Sequence, residues 1–581
     1  VTGLPNVVGM TEFDVVVLGG GAAGLTFAMQ LHRTRPGTSI VVVEKSVRAP
    51  EAAHKVGEST VDIAAHYMRN VLGIEPHILG RQLDKFGLRF FFSQNDNLDI
   101  TRRVELGHAH RPHVGATYQI DRGRFENFLT DELVELGVAV WTGHRVNEVE
   151  LGDGEHHVTV TTPEGEQREI KARWVVDASG RAGLLKRKLG LAKPNGHNVN
   201  AAWFRVGSPV DIDQWSADPA WHERISDGHR SLSTNHLMGE GYWVWLIPLA
   251  SNSLSFGIVA DAELHPFDTY NRFEKALDWL RKYEPQCAEV VEAHRDQLLD
   301  FKVMRNYSYG CEQVYSGQGW SLTGEAGIFL DPLYSPGFDV ISLSNGLITD
   351  LVTRALDGED VSELAAIHNT VFFLVTDSWL PIYEGQYPIM GNARVMSAKV
   401  IWDTGVYWAV PSLLFYHDQF PRMVDRPRLV AQLARISAIT EPVQRFFRQW
   451  YDVEPKQHAD GFITYYDFGF MTRFHEGLTA NLSDSELADQ LGANLDELER
   501  IAGELLHAVI AECEAADEQA RRDQADRWRA DKAVMRLVDV YLAHDERVDA
   551  WITVGPDGRA DGGGRDFSIR PHTDALAGES R

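Results

Sequence analysis

Only three cysteines, Cys287, Cys311 and Cys513, occur in 581 residues, too few and too scattered for a disulfide framework or a zinc site. Histidines such as His417 and His458 lack ligand spacing, so no metal is expected. The chain also lacks any run of about 20 apolar residues that would span a bilayer; the stretch from Tyr407 to Tyr416 is short and interrupted by Pro411. It has no basic run: 56 Lys and Arg stand against 83 Asp and Glu, for a net charge of −27. Nucleic acid is therefore not an expected partner, nor is an anionic membrane surface. The first twelve residues show no basic segment leading into an apolar one, so no secretory signal is read and a reducing cytoplasm is expected. No internal repeat is visible.

What is present is an ordinary globular balance, 44% hydrophobic and 24% charged, on a chain long enough for two or three lobes. Asp14-Val-Val-Val-Leu18 reads as a buried strand, Ala22 to about His32 as a helix, and Ile40-Val-Val-Val43 as a second buried strand. Together they form a βαβ unit. Ala139–Trp141 and Val149–Leu151 read as strands. Val158–Val160, a turn at Pro163–Gly165, then Ile170 and Trp174–Val176 suggest a hairpin returning to the sheet. Residues 195–265 are strand-rich, with Ser253–Val259 the clearest alternation, and helical periodicity takes over from Val340.

Between the first strand and helix lies Gly19-x-Gly21-x-x-Gly24, and Glu44 closes the next strand 20 residues beyond Gly24. Gly19 permits a tight turn, Gly21 lets the backbone approach a pyrophosphate, and Gly24 lets helix pack on strand. The helix start, Ala22 and Ala23 included, offers free N–H groups to the diphosphate. Glu44, with Lys45 beside it, is placed to meet the ribose hydroxyls. Val175-Val-Asp177-Ala-Ser-Gly180 and Gly324-Glu325-Ala326 resemble the second and third nucleotide segments of glutathione-reductase-type flavoproteins, which makes FAD the expected cofactor. Glu325 stands where that family usually has a shorter Asp facing the ribityl chain. Arg122, in Asp121-Arg-Gly-Arg-Phe125, resembles the arginine beside the flavin in related monooxygenases; a salt-bridged surface arginine is the plainer alternative.

Four further strings follow in order: Gly57-Glu58-Ser59-Thr60; Lys85, 28 residues after Gly57; Trp243-x-Trp245-x-Ile247-Pro248; and Asp331-Pro-Leu-Tyr-Ser335-Pro336-Gly337. Each has a plain reading by itself: a helix cap, an exposed lysine paired with Asp84, a core strand with two indoles, a turn before a helix. In this order they resemble the flavin-dependent halogenases, over roughly residues 12–350. The resemblance implies that Gly57, Glu58 and Ser59 lie beside the flavin, and that Trp243 and Trp245 keep organic substrate from it. It further implies that Ser335, Pro336 and Gly337 adjoin the halide, chloride or bromide, and that Lys85 relays hypohalous acid to the substrate. A buried amine with a lowered pKa suits that role as nucleophile or hydrogen-bond donor. A separate flavin reductase is implied as partner, since only one dinucleotide fingerprint is found.

Two departures bear on substrate and activity. The tryptophan-specific branch has a glutamate before the serine, where this chain has Tyr334. A phenol, which supplies its own electron density once ionised, needs no such carboxylate, so phenols or pyrroles, free or on a carrier protein, are expected. Pro336 has no N–H to offer a halide, which leaves open a monooxygenase or other FAD-dependent oxidoreductase that does not halogenate. A flavin-binding scaffold without turnover is the non-enzymatic alternative.

The expected fold class is α/β: an FAD-binding Rossmann-like domain of the glutathione-reductase type, an inserted β-rich substrate region and a helical C-terminal region. The corresponding divisions are residues 1–355, with the substrate-side sheet at about 195–265, then 356–555, and a mobile tail at 556–581. Aromatics between 372 and 420, among them Trp379, Tyr383, Trp402, Tyr407 and Trp408, can cap a substrate pocket or simply form a helical core. The charged helices after Ser483 can be an interaction arm or solvated faces.

Overall fold

In a computed structural model, residues 11–544 and 551 are described, apart from 53, 95, 113 and 455–460. His458 and the segment 556–581 lie outside them.

The first strand, Glu12–Leu18, is buried from Val15 to Leu18 because it is central: it pairs in parallel with Ile40–Glu44 on one side and Gln167–Asp177 on the other. The sheet extends in parallel through Trp320–Leu322 and Ala139–Thr142. Leu18, Glu44, Asp177 and Leu322 thus all end at one edge, where Gly19, Gly180 and Gly324 turn the chain at positive φ. Ligands of open parallel sheets bind in the crevice outside such an edge. The expected hairpin is present, with His156–Thr161 antiparallel to the first half of Gln167–Asp177. Its outer strand runs Arg145–Glu150, earlier than the expected 149–151, because a largely exposed strand carries little apolar pattern.

The second sheet holds Leu298–Arg305, Val199–Val206, Ser253–Asp261, Tyr242–Leu249, Thr234–Gly239, Leu88–Phe92, Val104–Leu106 and Gly461–Ile463, in that spatial order. It reaches well beyond 195–265 and takes its last strand from the helical C-terminal half. Ser253–Ala260 is buried at every position rather than on one face, because both faces of the sheet are covered. Val244, Leu246, Phe256 and Phe204 pack with the helices Phe273–Tyr283 and Pro285–Ala293. Trp203, Trp243 and Trp245 belong to the other face, with Phe90 and Phe92. Strand alternation thereby puts both indoles on the side away from those helices.

The helix Gly337–Leu356 packs on Ala22–Thr34, and further helices follow. The charged segment after Ser483 is no free arm. Asp484–Glu514 begins with a Ser483/Glu486 capping box and packs against Lys532–Leu542 and Arg435–Val453. Trp528 is buried there and donates to Gln449, while buried Trp551 donates to the Ile501 carbonyl. Burying such side chains stabilises the fold by about 1.5–3 kcal/mol each.

Candidate active site: two cavities and the wall between them

At the crevice, a methyl on Gly19 would lie 2.4 Å from the Ala178 carbonyl oxygen, and one on Gly24 2.1 Å from that of Gly19. The turn therefore exists only with glycine at both places. Gly21 caps the helix Ala22–Thr34 without a side-chain hydrogen bond, and no acidic residue stands in its first turn. The N–H groups of the helix start are left for an anion. Glu44 is oriented by the Gly20 and Ser46 N–H groups, each at 2.8 Å, and borders a small polar pocket with Arg48, His54 and Lys55. Lys45 is exposed beside it.

A larger cavity of about 1180 Å³ adjoins the same edge. Gly57, Glu58, Ser59, Arg122, Gly324, Glu325, Ser335, Pro336, Gly337, Trp243 and Trp245 all line it, so residues as much as 280 positions apart in sequence converge. Arg122 fits both of its readings. It pairs with Glu126 and donates to the Val56 carbonyl, yet its buried Nε has no hydrogen-bond partner and it borders the cavity. Asp177 serves differently: its carboxylate accepts the Ser179 and Leu185 N–H groups at 2.9 and 2.7 Å and so shapes the turn after its strand. Glu58 is buried against the Arg205 guanidinium at 2.8 Å, and burial still pushes its carboxyl up. The open glycine turn, the uncapped helix start and the unpartnered Arg122 Nε fit a dinucleotide with a planar ring system at this end.

The indoles are tied in place. Trp243 donates to Tyr387 at 3.0 Å, and Tyr387 donates to Asp331 at 2.7 Å, where Tyr307 and His197 also converge. Trp245 donates to Ser255, and the two ring centroids are 5.8 Å apart. Tyr387 comes from the C-terminal half and fixes both an indole and the loop ahead of Ser335.

Lys85 ends the short strand Leu83–Lys85, which pairs with Thr117–Gln119. It is only 6% exposed, and the expected alternative of a surface pair with Asp84 does not apply; Asp84 lies near Arg111 instead. Nζ donates to Ser59 Oγ at 2.8 Å and to the Thr60 carbonyl at 2.6 Å. Ser335 donates to the same Ser59 Oγ at 2.8 Å. Ser59 and Ser335 line the first cavity, Lys85 lines a second of about 1010 Å³, and Pro336 borders both. The wall between the cavities is thus this hydrogen-bonded trio. Burial lowers the Lys85 amine from 10.5 to about 7, against the pull of the Asp62 charge.

Tyr334 and Ser335 are both held at positive φ, 68° and 62°. That conformation is costly for residues with side chains, and at paired positions it marks a constrained site. It delivers the chain to Pro336, which caps Gly337–Leu356 without a side-chain bond. The N–H groups of its first turn, that of Gly337 first, have no side-chain cap.

The second cavity was only partly legible. Its lining includes Trp379, Tyr383, Trp402, Tyr407 and Trp408, so these aromatics serve as pocket wall as well as helical core. Three aspartates were missed. Asp62 accepts from Trp408 at 3.0 Å and from His475 at 3.2 Å. Asp339 accepts from Tyr407 at 2.7 Å and from the Ala64 N–H at 2.9 Å. Asp403 is bound by Lys399, Gln444 and Tyr334. The place without a glutamate is therefore not a site without carboxylates. No spacing signal was available, because their partners come from distant helices.

A parallel sheet with a glycine-lined crevice, an uncapped helix start and a cavity at its edge fits an FAD-binding protein. The family model "FAD binding domain" matches residues 12–261. A flavin-dependent halogenase of Dictyostelium discoideum is 23% identical over 438 residues, covering 69% of this chain and 70% of that one. A 1H-pyrrole-2-carbonyl-peptidyl-carrier-protein chlorinase of Pseudomonas fluorescens is 29% identical over 375 residues, covering 61% and 79%. Among solved structures, halogenase PltM aligns at 16% identity with a TM-score of 0.62, covering 82% of this chain and 99% of that one; this likeness speaks to the fold. Over most of its length the chain is thus similar to flavin-dependent halogenases.

Proposed function

We propose that this chain is a flavin-dependent halogenase acting on an electron-rich phenol or pyrrole, held in the second cavity and supplied free or on a carrier protein. Bound reduced FAD, renewed by a separate reductase, supplies with oxygen the oxidising power that turns halide into hypohalous acid. The chain's residues do the rest. Gly19, Gly21, Gly24, Glu44 and Arg122 hold the cofactor. The N–H groups at the start of Gly337–Leu356 attract the halide anion. Trp243 and Trp245 wall the first cavity against organic substrate. Lys85, behind Ser59 and Ser335, holds hypohalous acid by a hydrogen bond and gives a proton to the departing hydroxide. An amine near 7 can carry and release that proton around neutrality.

The observation that carries this reading is the buried Lys85 amine set in the wall between two cavities. The aromatic lining of the second cavity supports a flat ring as substrate. Carrier delivery is supported by relatives from Pseudomonas fluorescens and Pseudoalteromonas luteoviolacea, whose names specify carrier-bound pyrrole. The three buried free cysteines support a reducing compartment such as the cytoplasm. Division into a core up to 355 and a helical region beyond is supported by helix content alone, since that region also closes the second cavity.

The test is reduced FAD, oxygen, chloride or bromide and a panel of phenols and pyrroles, free and carrier-loaded, read as halide-dependent mass shifts. Lys85→Ala should lower halogenation by about 10²–10⁴-fold while flavin still binds. Equal rates for Lys85→Ala and wild type would remove the lysine from the mechanism, and oxygenated products without halogen would favour the monooxygenase alternative.

A further inference from the structure

Electrophilic halogenation leaves the ring with one proton too many, and a base must collect it. We infer that Asp62 is the base that takes the ring proton: its carboxylate lines the same cavity as Lys85 and is braced from behind by His475 and Trp408. The inference rests on the halogenase reading and names a further catalytic residue within it.

Three aspartates line this cavity; their hydrogen bonds set Asp403 apart, and protonation separates the other two. Asp403 has three donors on its two oxygens, from Lys399, Tyr334 and Gln444, and so is tied into the wall. Asp339 is bound by Tyr407 and by the Ala64 N–H. Asp62, like Asp339, receives one donor on each oxygen, so each oxygen keeps a lone pair for a further donor. It opens the short helix Asp62–His66, directly after the segment that carries Ser59 and Thr60.

The bracing joins residues far apart in sequence. His475 lies flat on the Trp408 indole, centroids 4.0 Å apart and planes 5° from parallel. Its Nδ1 meets the Tyr466 hydroxyl at 2.7 Å while Nε2 meets Asp62. Tyr466 in turn stacks on half-buried His110, so the chain leads away from the cavity.

Protonation states agree with this division. Burial pushes the Asp62 carboxyl up, but His475, by hydrogen bond and charge, then Trp408 and Lys85 outweigh it and hold it below its usual value. Burial raises Asp339 to about 8, so it keeps its proton at neutrality. Of these two carboxyls, Asp62 is therefore the one able to accept a proton at neutrality.

The step balances. A ring carbon bonds the halogen, the halogen–oxygen bond breaks with its pair going to oxygen, and the Lys85 ammonium protonates the hydroxide to water. The ring C–H bond then breaks, its pair restores aromaticity, and the proton goes to Asp62. Transfer from Asp62 back to the Lys85 amine resets both groups, so arene and hypohalous acid yield aryl halide and water.

The experiment uses the full-length flavin-loaded enzyme and the panel member that wild type halogenates fastest, with hydrogen or deuterium on its ring. Wild type should show equal rates for the two isotopologues, because proton removal is fast. Asp62→Asn should halogenate at least tenfold more slowly and discriminate clearly against deuterium. Asp62→Glu should recover part of the rate, and His475→Gln should slow the reaction less than Asp62→Asn. A dimedone trap for hypohalite, run on wild type, separates the two levels of argument. No trapped oxidant sinks the halogenase reading and this inference with it. Trapped oxidant and product, with Asp62→Asn at wild-type rate or slowed without isotope discrimination, overturns the assignment of Asp62 alone. If Asp62→Asn fails to bind flavin, the isotope ratios of Asp62→Glu and His475→Gln decide: both at unity overturn it, and discrimination in either supports it.

Discussion

The cavities on the two sides of the Ser59–Ser335 hydrogen bond are built on opposite plans. The flavin side draws on strand ends and glycine turns, each a short string in which neighbouring residues do related work: Gly57 to Ser59 and Ser335 to Gly337 line its cavity, and Gly19 to Gly24 form the turn at the neighbouring strand edge. The substrate side draws single residues from Asp62, Lys85, Asp403, Trp408 and His475, spread over more than 400 positions. A backbone-built site tolerates little change of conformation but little depends on remote packing. A side-chain-built site is the reverse, since every polar group in it is held by a partner from another helix.

Four substitutions test that contrast, beginning with the most severe. Gly24→Val puts side-chain carbon where the Gly19 carbonyl already lies within 2.1 Å of a Cβ. It should abolish flavin binding in a fluorescence titration, whereas substrate-side variants should keep it. Lys85→Met next compares a buried amine with an apolar group of like length. The folded-state value of Lys85, about 7, lies below the free value of 10.5. Wild type is thus penalised fully below pH 7 and progressively relieved as pH rises from 7 to 10.5. The melting temperature of Lys85→Met relative to wild type should fall across that window and be flat beneath it. An unchanged difference would mean that the amine is not buried as described.

Trp408→Ala removes an indole stacked on His475 and the Asp62 partner together. It should cost about 3–5 kcal/mol in denaturant unfolding and leave flavin affinity close to wild type. A matching loss of flavin would show that the two sides are not independent. The smallest effect is expected of Tyr387→Phe, which leaves Trp243 Nε1 without its acceptor and Asp331 with one donor fewer. A loss of about 1–3 kcal/mol is expected for a buried group left unsatisfied, with some oxidant diverted into substrate oxygenation as the indole loosens.

The same contrast governs what could be read from the chain before its fold. The buried parallel strands, the fingerprint, Glu44 and the paired indoles were legible because periodicity and spacing carry them. Arg145–Glu150 and Leu298–Arg305 were not, since strands with exposed positions lose apolar pattern. Gly461–Ile463, three residues long, joins its sheet only through Val104–Leu106. The missing glutamate before Ser335 pointed to a phenol on the ground that no carboxylate stood by. That ground does not hold, because Asp62 and Asp403 enter from other segments and Asp339 from the helix that follows Ser335.

Sequence alone settled the cofactor scaffold and the order of its motifs, because glycine conformation and strand burial are local properties that a few neighbouring residues determine. Only the tertiary structure decided that Lys85 is buried and near neutrality, that Ser59 joins it to Ser335, and that one of three aspartates is poised as a base. Those are matters of desolvation and of which partner each charge meets, and both depend on what distant helices bring to the same few ångströms.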